Sequence, residues 1–447
     1  MSRVRTRDLV FLSLYGLALS MASSTLDPPV FTAKVNQLVA DEGWRNTALG
    51  LLTFVGLVVA ALSQPVWGAL SDRATTRWGR RIPFLVGGSL ANLILFTLVA
   101  FVGDLWLLGF IIVLIQLTSN AVQGAYQGLI PDQVPPSQHG VAAGIKSLAE
   151  LPAVILGPLV AGLLLGIGGW SVTVRVLAVV GFLQVLYVIV TFVTLYRARN
   201  EPNHEPTNLP NYQPANPPTS QSTSLPTSQP AIRQTIRDTF RIDWRANRDL
   251  LWWLANRALF WFALLTLRSF LINYVEQVIG LSAEEAQRVT GLLASVLGVL
   301  TFLIVLPSGF IADRVGRRPL LIASGVAAAL GAFVLLSARS LPVMFGAGLF
   351  IGLGGGLFIT SSWALATELV PKAEAARYLG ITNLATAGGS AAARLTGPLI
   401  DGVNHFFDST TLGYVGVYAV VGLLFLLSSW AIYHVSPEHR RALTTER

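Results

Sequence analysis

The chain has 447 residues, of which 53% are hydrophobic and only 12% are charged, and its formal net charge is +8. A soluble protein carries about a quarter charged residues, so this deficit indicates a chain surrounded by lipid. The absence of cysteine excludes disulfides, thiolate chemistry and cysteine metal sites. The five histidines are scattered without metal-ligand spacing, and we expect no cofactor.

Apolar segments of about 20 residues, long enough to cross a bilayer, recur along the whole chain. The basic N-terminus runs directly into the first segment without an evident cleavage site, so we expect a retained helix rather than a signal peptide. The sequence predicts an all-α membrane protein with about twelve transmembrane helices. The predicted spans lie near residues 9–37, 44–70, 82–102, 105–131, 140–167, 170–196, 250–279, 285–311, 319–338, 341–369, 376–401 and 412–434.

A segment of different composition separates the two sets of six spans. Residues 200–230 are rich in Pro, Asn, Ser, Thr and Gln and cannot bury a core, so we expect them to be disordered. In residues 231–248, apolar side chains fall four apart between arginines. This pattern suits either an amphipathic helix at the membrane surface or a basic lead-in to the seventh span. The predicted organisation is a six-helix bundle at 1–196, a cytoplasmic linker at 197–248 and a second bundle at 249–447.

Charge asymmetry predicts the orientation of the chain. Arginines cluster at the N-terminus, after the second span, in the linker, after the eighth span and at the C-terminus. An even number of spans places these clusters on one side, which the positive-inside rule makes cytoplasmic. We therefore expect a monomeric, multi-pass protein of the inner (plasma) membrane with both termini in the cytoplasm. The positive charge reflects this topology and attraction to lipid headgroups, not nucleic-acid binding.

Three sequence patterns occur twice, in the same order, at offsets of 236 to 241 residues. Such a duplication predicts two pseudo-symmetric six-helix bundles with one cavity between them near the membrane midplane. This arrangement favours a carrier over a channel or a receptor. The copies begin at Asp72, Asp132 and Gly157 in the first half, and at Asp313, Glu368 and Gly397 in the second half.

The segments GALSDRATTRWGRR and SGFIADRVGRR resemble the signature loop of the major facilitator superfamily, and the resemblance covers nearly the whole chain. The first copy has four extra residues, 74–77, and this longer loop is similar to that of the glycoside–pentoside–hexuronide cation symporters and the nearby sucrose-transporter-like branch. The segments YQGLIPDQVP, WALATELVP and RYLGITNLATAGG also resemble that branch. The resemblance implies the major facilitator fold and transport of a sugar or glycoside.

Sodium-coupled members of that symporter group carry cation-binding carboxylates in the second and fourth spans. The matching positions here are Ala60, Gln64 and Gln123, which supply no negative charge, so we do not expect sodium coupling. A proton is the expected coupling ion. Lys146 matches the position of a sugar-contacting arginine in the group, which implies a polar substrate.

Both signature loops combine an aspartate with a basic cluster at helix ends. With an arginine and a helix N-terminus in reach, each carboxylate can form a charge-assisted latch between the bundles that favours the outward-open state. The alternative is a tight glycine-containing turn whose arginines only set topology. The predicted gating residues are Asp72, Arg73, Arg80, Arg81, Asp313, Arg314, Arg317 and Arg318.

Ionisable residues inside the first-half spans are functional candidates. Asp27 precedes two prolines that should break the helix and free carbonyls to line a cavity; alternatively, it ends a short first helix at the outer interface. Lys34 lies seven residues further on the same face, so an Asp27–Lys34 pair is one hypothesis. Lys146 and Glu150 are expected to pair because they lie four residues apart. Protonation of Glu150 or Asp27 is the predicted coupling step.

In the fourth span, Asn120, Gln123 and Gln127 form one polar stripe. Amides suit a hydroxyl-rich ligand, and interhelical hydrogen bonding is the alternative role. In the seventh span, we expect Arg257 to snorkel to the interface and Arg268 to face a cavity or an acid. Trp363 can stack on a sugar ring or pack against the bundle. The predicted substrate-binding residues are Asp27, Asn120, Gln123, Gln127, Lys146, Arg268, Trp363 and Asn383.

The leading hypothesis is a secondary active transporter that moves a small solute, a sugar or glycoside, by alternating access in symport with protons. The second is a proton-driven exporter of amphipathic compounds, because AVILGPLVAG is a degenerate match to the Gly-Pro motif of facilitator antiporters. Recurrence of that motif in the eleventh span favours a packing role instead. The third is a non-transporting facilitator homologue that assists assembly of a membrane complex. No nucleophile–base set, nucleotide loop or metal cluster in the sequence indicates an enzyme.

Overall fold

The computed structural model describes residues 4–74, 76, 80–135, 138–200, 248–369 and 375–436. Within these ranges the chain is helical and has no strand, and eleven stretches are long and apolar enough to cross a membrane. One further span, the eleventh in chain order, consists of two helices that meet after Arg394. The predicted all-α fold with about twelve spans is confirmed. The predicted linker helix, apart from Arg248, and the side chains of Arg73 and Asn383 lie outside the described residues.

The first bundle contains spans one to six: Thr6–Thr25 with Phe31–Leu38, Arg45–Arg73, Ile82–Phe101, Leu105–Gln133, His139–Leu165 and Val172–Asn200. The second bundle contains spans seven to twelve: Arg248–Tyr274 extended by Val275–Ile279, Ala283–Val315, Arg317–Leu336, Leu341–Leu369, Ala375–Arg394 with Thr396–Phe406, and Leu412–Tyr433. Local sequence signals mark the first residues of several helices. The eighth span begins with a capping box between Ser282 and Glu285, and the third span has a proline in its first turn.

The spans pair in the same pattern within each bundle. The first span packs on the fifth, the second on the fourth, and the third on the fourth and sixth. The seventh span likewise packs on the eleventh, the eighth on the tenth, and the ninth on the tenth and twelfth. Between the bundles, the second span contacts the eleventh and the fifth contacts the eighth. The two halves of the sequence are therefore two pseudo-symmetric bundles.

Small residues let the bundles approach closely at both contacts. A Cβ added to Gly162 of the fifth span would lie 2.8 Å from the Cα of Gly291 in the eighth span. A Cβ on Gly50 of the second span would collide with the carbonyl oxygen of Arg394, and Gly397 is equally close to the second span. The repeated Gly-Pro motif thus lies at both contacts between the bundles, where small residues favour close helix packing in a membrane.

The two ends of the molecule differ in how the bundles meet. Val4 and Ser436 lie at one end, which we call the terminal side, and Ser436 there hydrogen-bonds Asp249 at the start of the seventh span. Among the described residues, the hydrogen bonds and ion pairs that join the bundles lie in the half nearer the other end, the opposite side. The fifth and eighth spans, for example, are joined by a hydrogen bond from Ser295 to the Ile155 carbonyl.

Candidate functional site

Asp27 and the two prolines after it break the first span. The Asp27 backbone is extended, with φ −116° and ψ 115°, as suits a residue before proline. The span nevertheless continues to Leu38, so Asp27 lies inside it and not at its end. The break frees two carbonyls that accept hydrogen bonds from the second bundle: Arg268 donates to that of Asp27, and Gln287 to that of Pro29.

The Asp27 carboxylate forms an ion pair with Arg394 of the eleventh span, with 2.6 Å between Oδ2 and Nη2. Asp27 Oδ1 and the Nε and Nη1 groups of Arg394 are buried and have no hydrogen-bond partner within the described part of the chain. The predicted Asp27–Lys34 pair is wrong. The Lys34 ammonium donates instead to Gln37 and to two carbonyls at the end of the third span. A seven-residue spacing shares a face only in an unbroken helix, and this helix is broken.

Arg268 of the seventh span lies next to this ion pair. We call Asp27, Arg268 and Arg394 the Asp27 cluster. Its Nη2 donates to the Asp27 carbonyl at 3.3 Å. The Arg268 side chain is exposed although Leu267 and Ser269 on either side of it are buried. An exposed guanidinium that also contacts the other bundle lies at the boundary between the two, where contact with water is far less costly than contact with lipid. We therefore infer that Arg268 faces a water-filled space between the bundles.

The close contact at Gly50 places Arg394 within reach of the first span. Arg394 is the last residue of the first helix of the eleventh span, and the second helix begins at Thr396. Because Gly50 has no side chain, the Arg394 backbone can approach the second span there. The Arg394 side chain then extends to Asp27 across the boundary between the two bundles, which we call the seam.

A hydrogen-bond network joins the bundles on the opposite side of this cluster. The Asn46 amide donates to Asp401 Oδ1 and to the Tyr414 hydroxyl, each at 2.8 Å, and accepts from Asn273 at 2.8 Å. Asp401 Oδ2 also accepts from the Thr47 backbone N–H at 2.6 Å. Asn46 and Asp401 are buried. A buried network in which the groups satisfy one another fixes the relative position of the elements that carry them.

Two ion pairs between the bundles lie beside this network. Arg45 of the second span is 3.2 Å from Glu276, and Arg175 of the sixth span is 2.9 Å from Glu284. These four side chains, together with Asn36 and other polar groups, line a cavity of about 180 Å³. Because positive and negative groups balance in this lining, the cavity offers no net charge to a ligand.

Lys146 and Glu150 lie in the fifth span, nearer the terminal side than the Asp27 cluster. The Lys146 Nζ is 3.7 Å from Glu150 Oε1 and 5.3 Å from the centre of the Tyr126 ring. Both charged side chains are partly exposed, at 25% and 30%. This pair is therefore accessible to protons while its net charge stays balanced.

The polar stripe of the fourth span contains three amides in different environments. Asn120 donates to the carbonyl of Gln116 in its own helix at 2.8 Å. Gln123 is half-buried and Gln127 is exposed, and neither side chain hydrogen-bonds another described residue. Two of the three amides thus keep donors and acceptors available for a ligand.

Arg257 is buried inside the second bundle, only 4% exposed. Its Nε donates to Thr386 at 2.8 Å and its Nη1 to Ser362 at 3.1 Å, and its guanidinium lies 4.8 Å from the centre of the Trp363 ring. The prediction that Arg257 snorkels to the interface is wrong, because these hydroxyls and this ring hold it inside the bundle. No carboxylate pairs with it among the described residues. Trp363 has one ring face occupied by this cation.

The signature loops contact their own bundles in this conformation. Arg81, just before the third span, is 2.5 Å from Asp72 in the last turn of the second span. Arg317 donates to the Ala364 carbonyl, and Arg318 donates to carbonyls at the end of the twelfth span. The latch between the bundles stays a prediction, because part of the first loop lies outside the described residues. The remaining described members of the predicted gate are exposed: Arg80, Asp313 and Arg314.

Four residues at the seam are absent from the predicted binding and gating sets. Arg394 is an ionisable residue inside the predicted eleventh span and so is a functional candidate, and both Arg394 and Asp401 flank the second Gly-Pro copy, which is a further signal. Asn46 and Glu276 had no such signal, because each lies at the end of a span where polar residues are ordinary. Their role depends on which span of the other bundle they meet.

The family comparison agrees with this architecture. The family model of the Major Facilitator Superfamily matches residues 10–393 and, in a second match, residues 285–447. The chain belongs to the Major Facilitator Superfamily. It is accordingly a multi-pass membrane transporter and not an enzyme.

Curated relatives differ in what they move. The multi-drug resistance efflux pump PmrA of Streptococcus pneumoniae is 24% identical over 395 residues, covering 86% of this chain and 87% of the pump. The minor myo-inositol transporter IolF of Bacillus subtilis is 30% identical over 113 residues, covering 25% of this chain and 26% of the transporter. These similarities support transport in general and leave the solute open.

Solved structures share the fold along nearly the whole chain. A D-xylose–proton symporter superposes with a TM-score of 0.70 at 16% identity, covering 97% of this chain and 98% of the symporter. A bacterial homologue of the human lysosomal transporter Spinster superposes with a TM-score of 0.63 at 16% identity, covering 98% of this chain and 97% of the homologue. At this identity the likeness establishes the fold alone.

Proposed function

We propose that this superfamily member is a proton-coupled secondary transporter of a polar, hydroxyl-rich solute such as a sugar or glycoside. It lies in the inner membrane as a monomer, with its terminal side in the cytoplasm, and works by alternating access. The observation that carries the proposal is the ion pair between Asp27 and Arg394, because it joins the two bundles beside a solvent-accessible arginine.

This ion pair links protonation to bundle movement. A protonated Asp27 loses most of its attraction for Arg394, so proton binding weakens one of the contacts that hold the opposite side closed. Conversely, any movement that separates the bundles here leaves the Asp27 carboxylate without its cation. A carboxylate placed at a seam between two moving bundles is therefore a coupling group. Glu150 is the second candidate, since its pair with Lys146 is partly exposed.

The buried network around Asn46 and Asp401 closes the opposite side, so the proposed cavity opens toward the terminal side in this conformation. The free amides of Gln123 and Gln127 lie toward the terminal side of the Asp27 cluster and can offer hydrogen bonds to solute hydroxyls. Opening of the network around Asp401, with formation of the predicted latches at Asp72 and Asp313, would reverse the access.

The test is uptake by proteoliposomes that contain the purified full-length chain under an imposed pH gradient. Labelled xylose, myo-inositol, sucrose and the sugar acid glucuronate serve as solutes. The wild type should accumulate at least one of them, and a protonophore should abolish the accumulation. Asp27→Asn should still exchange that solute across the membrane but should not accumulate it. Asp408→Asn, an exposed carboxylate in a loop on the opposite side, is the matched control and should behave as wild type.

Three results would change the proposal. Loss of accumulation in Glu150→Gln but not in Asp27→Asn would move the coupling step to the Lys146 pair. Undiminished accumulation in both variants would remove both carboxylates from coupling. Absence of uptake for every sugar would contradict the proposed solute.

A second candidate function is export of amphipathic compounds. It is favoured by the similarity to PmrA, a multi-drug efflux pump, over 86% of this chain. The same proteoliposomes test it with ethidium and a proton gradient of the opposite direction. Gradient-driven movement of ethidium without uptake of a sugar would favour this alternative.

A further inference from the structure

We infer that the transported solute carries a carboxylate, which binds Arg268 and Arg394 in place of Asp27. This inference rests on the proposed function and assigns a chemical class to the same site. The starting observation is the charge of the cluster: two guanidinium groups and one carboxylate meet at the seam.

The surplus positive charge is not satisfied by the protein. Arg394 is only 8% exposed and uses one nitrogen for Asp27, while its Nε and Nη1 groups have no hydrogen-bond partner in the described chain. Arg268 makes a single hydrogen bond, to a carbonyl. Buried donors without partners are costly, so this cluster favours a ligand that accepts several hydrogen bonds and brings a negative charge.

A carboxylate fits these donors better than a neutral hydroxyl does. The planar guanidinium fork matches the two oxygens of a carboxylate, and such charge-assisted bidentate pairs are among the strongest hydrogen bonds in proteins. The Asp27 carboxylate already occupies one such position on Arg394. An incoming carboxylate of the same chemistry competes with Asp27 for that nitrogen and uses the two that are free.

Competition between the two carboxylates explains how proton and solute would move together. When Asp27 is ionised it holds Arg394 and repels a second negative group. When Asp27 is protonated, the guanidinium is released and the solute carboxylate takes its place. One proton on Asp27 then accompanies one negative charge on the solute, and the occupied cluster keeps the same net charge as the empty one.

The charge along the seventh span favours the same class of solute. Arg257 lies 11 residues before Arg268, about three turns or 16 Å toward the terminal side and on the same helix face. It is buried and has no carboxylate partner among the described residues. Because the Lys146–Glu150 pair is neutral, the arginines give the described part of the interior a positive potential. Such a potential attracts anions and repels lipophilic cations.

The test compares ligands that differ only in charge, with the purified full-length chain at neutral pH. Glucuronate is compared with glucose, and benzoate with benzyl alcohol, using the thermal midpoint and titration calorimetry. Tetraphenylphosphonium serves as the cation. At least one anion should raise the thermal midpoint by mass action and bind about tenfold or more tightly than its neutral partner. Equal binding of the neutral partner, preferred binding of the cation, or no binding of either anion would overturn the inference.

Variants test the assignment of the residues. Arg268→Gln should weaken binding of the anion about tenfold, roughly the loss of one charge-assisted hydrogen bond, without weakening binding of the neutral partner. Asp27→Asn should tighten anion binding and reduce its dependence on pH, because Arg394 is then free at every pH. A gain of affinity cannot arise from misfolding. Arg339→Gln, at an exposed loop arginine, is the matched control and should leave anion binding unchanged. Unaltered anion binding in both Arg268→Gln and Asp27→Asn would contradict the site.

Failure of this inference can be told apart from failure of the proposed function. Binding of benzoate over benzyl alcohol, without uptake of any sugar, would retain the anion site and remove the hydroxyl-rich solute. Gradient-driven accumulation of a neutral sugar, without preference for either anion, would retain the transporter and overturn the anion site.

Discussion

Asp401 accepts a hydrogen bond from Asn46 at 2.8 Å, across the seam between the eleventh and second spans. The same carboxylate accepts the backbone N–H of Thr47, close to the start of the second span, where the helix dipole favours a negative group. One side chain of the second bundle thus binds both a side chain and a helix N-terminus of the first. Because this contact joins the two bundles on the opposite side, opening of that side would break it.

Asp401→Ala should shift the conformational equilibrium toward an open opposite side. Each lost hydrogen bond to a charged group is worth about 1.5–3 kcal/mol, and about 1.4 kcal/mol changes a population tenfold. The chain has no cysteine, so Ala40→Cys and His405→Cys can carry the only two spin labels. The distance distribution between these labels should gain a longer component. Asp408→Asn on the same background should keep the wild-type distribution, since asparagine tolerates the left-handed backbone at this position. An unchanged distribution in Asp401→Ala would exclude this carboxylate as a closing contact.

Gly50→Ala should impair closure by a steric route. The new Cβ would collide with the Arg394 carbonyl oxygen, and backbone cannot move aside as a flexible side chain can. Overpacking of this kind costs about 1–3 kcal/mol. We expect slower transport and loss of the short label distance. Gly68→Ala in the same helix is the control, because a Cβ there meets no atom within 4 Å. Equal effects of the two substitutions would show that helix propensity, not close approach, is responsible.

The ion pair between Arg45 and Glu276 should tolerate exchange of its members. Both side chains are mostly buried, at 13% and 18% exposed, and Glu276 also accepts a hydrogen bond from Asn36. Arg45 also pairs with Glu42 at 3.1 Å, so Arg45→Glu alone brings three carboxylates together and should open the opposite side. The double variant Arg45→Glu/Glu276→Arg should recover part of the closed population. A double-mutant cycle on the label distances measures the coupling, and additivity within about 0.5 kcal/mol would mean that the pair does not stabilise closure.

The sequence predicted the fold well because membrane spans depend on local composition. The sequence contains twelve apolar stretches, clustered arginines and three repeated patterns, and these were enough to predict two bundles. The break at Asp27 was also predictable, since the effect of adjacent prolines is local. The residue that pairs with Asp27 was not predictable from the sequence. Helix periodicity pointed to Lys34, whereas the actual partner, Arg394, lies 367 residues away on another span.

Arg257 illustrates the same limit on sequence reasoning. Its position near a predicted span end suggested snorkelling, which depends on distance to the interface. The hydroxyls of Ser362 and Thr386 and the ring of Trp363 instead provide partners inside the bundle. Two of these residues lie on the tenth span and one on the eleventh. Their convergence on one guanidinium follows from helix packing, which the sequence of a single span does not reveal.

Removing Asp27 should destabilise the protein more than removing Asp27 and Arg394 together. In Asp27→Ala the Arg394 guanidinium stays buried without a carboxylate, and breaking a buried ion pair in this way costs about 3–5 kcal/mol. In Asp27→Ala/Arg394→Met an apolar side chain of similar length replaces the cation, so the desolvation cost disappears. The double variant should therefore regain most of the thermal midpoint lost in the single variant. If instead the two losses add, Arg394 in Asp27→Ala finds water or another partner through the cavity at Arg268, and the pair contributes little to stability.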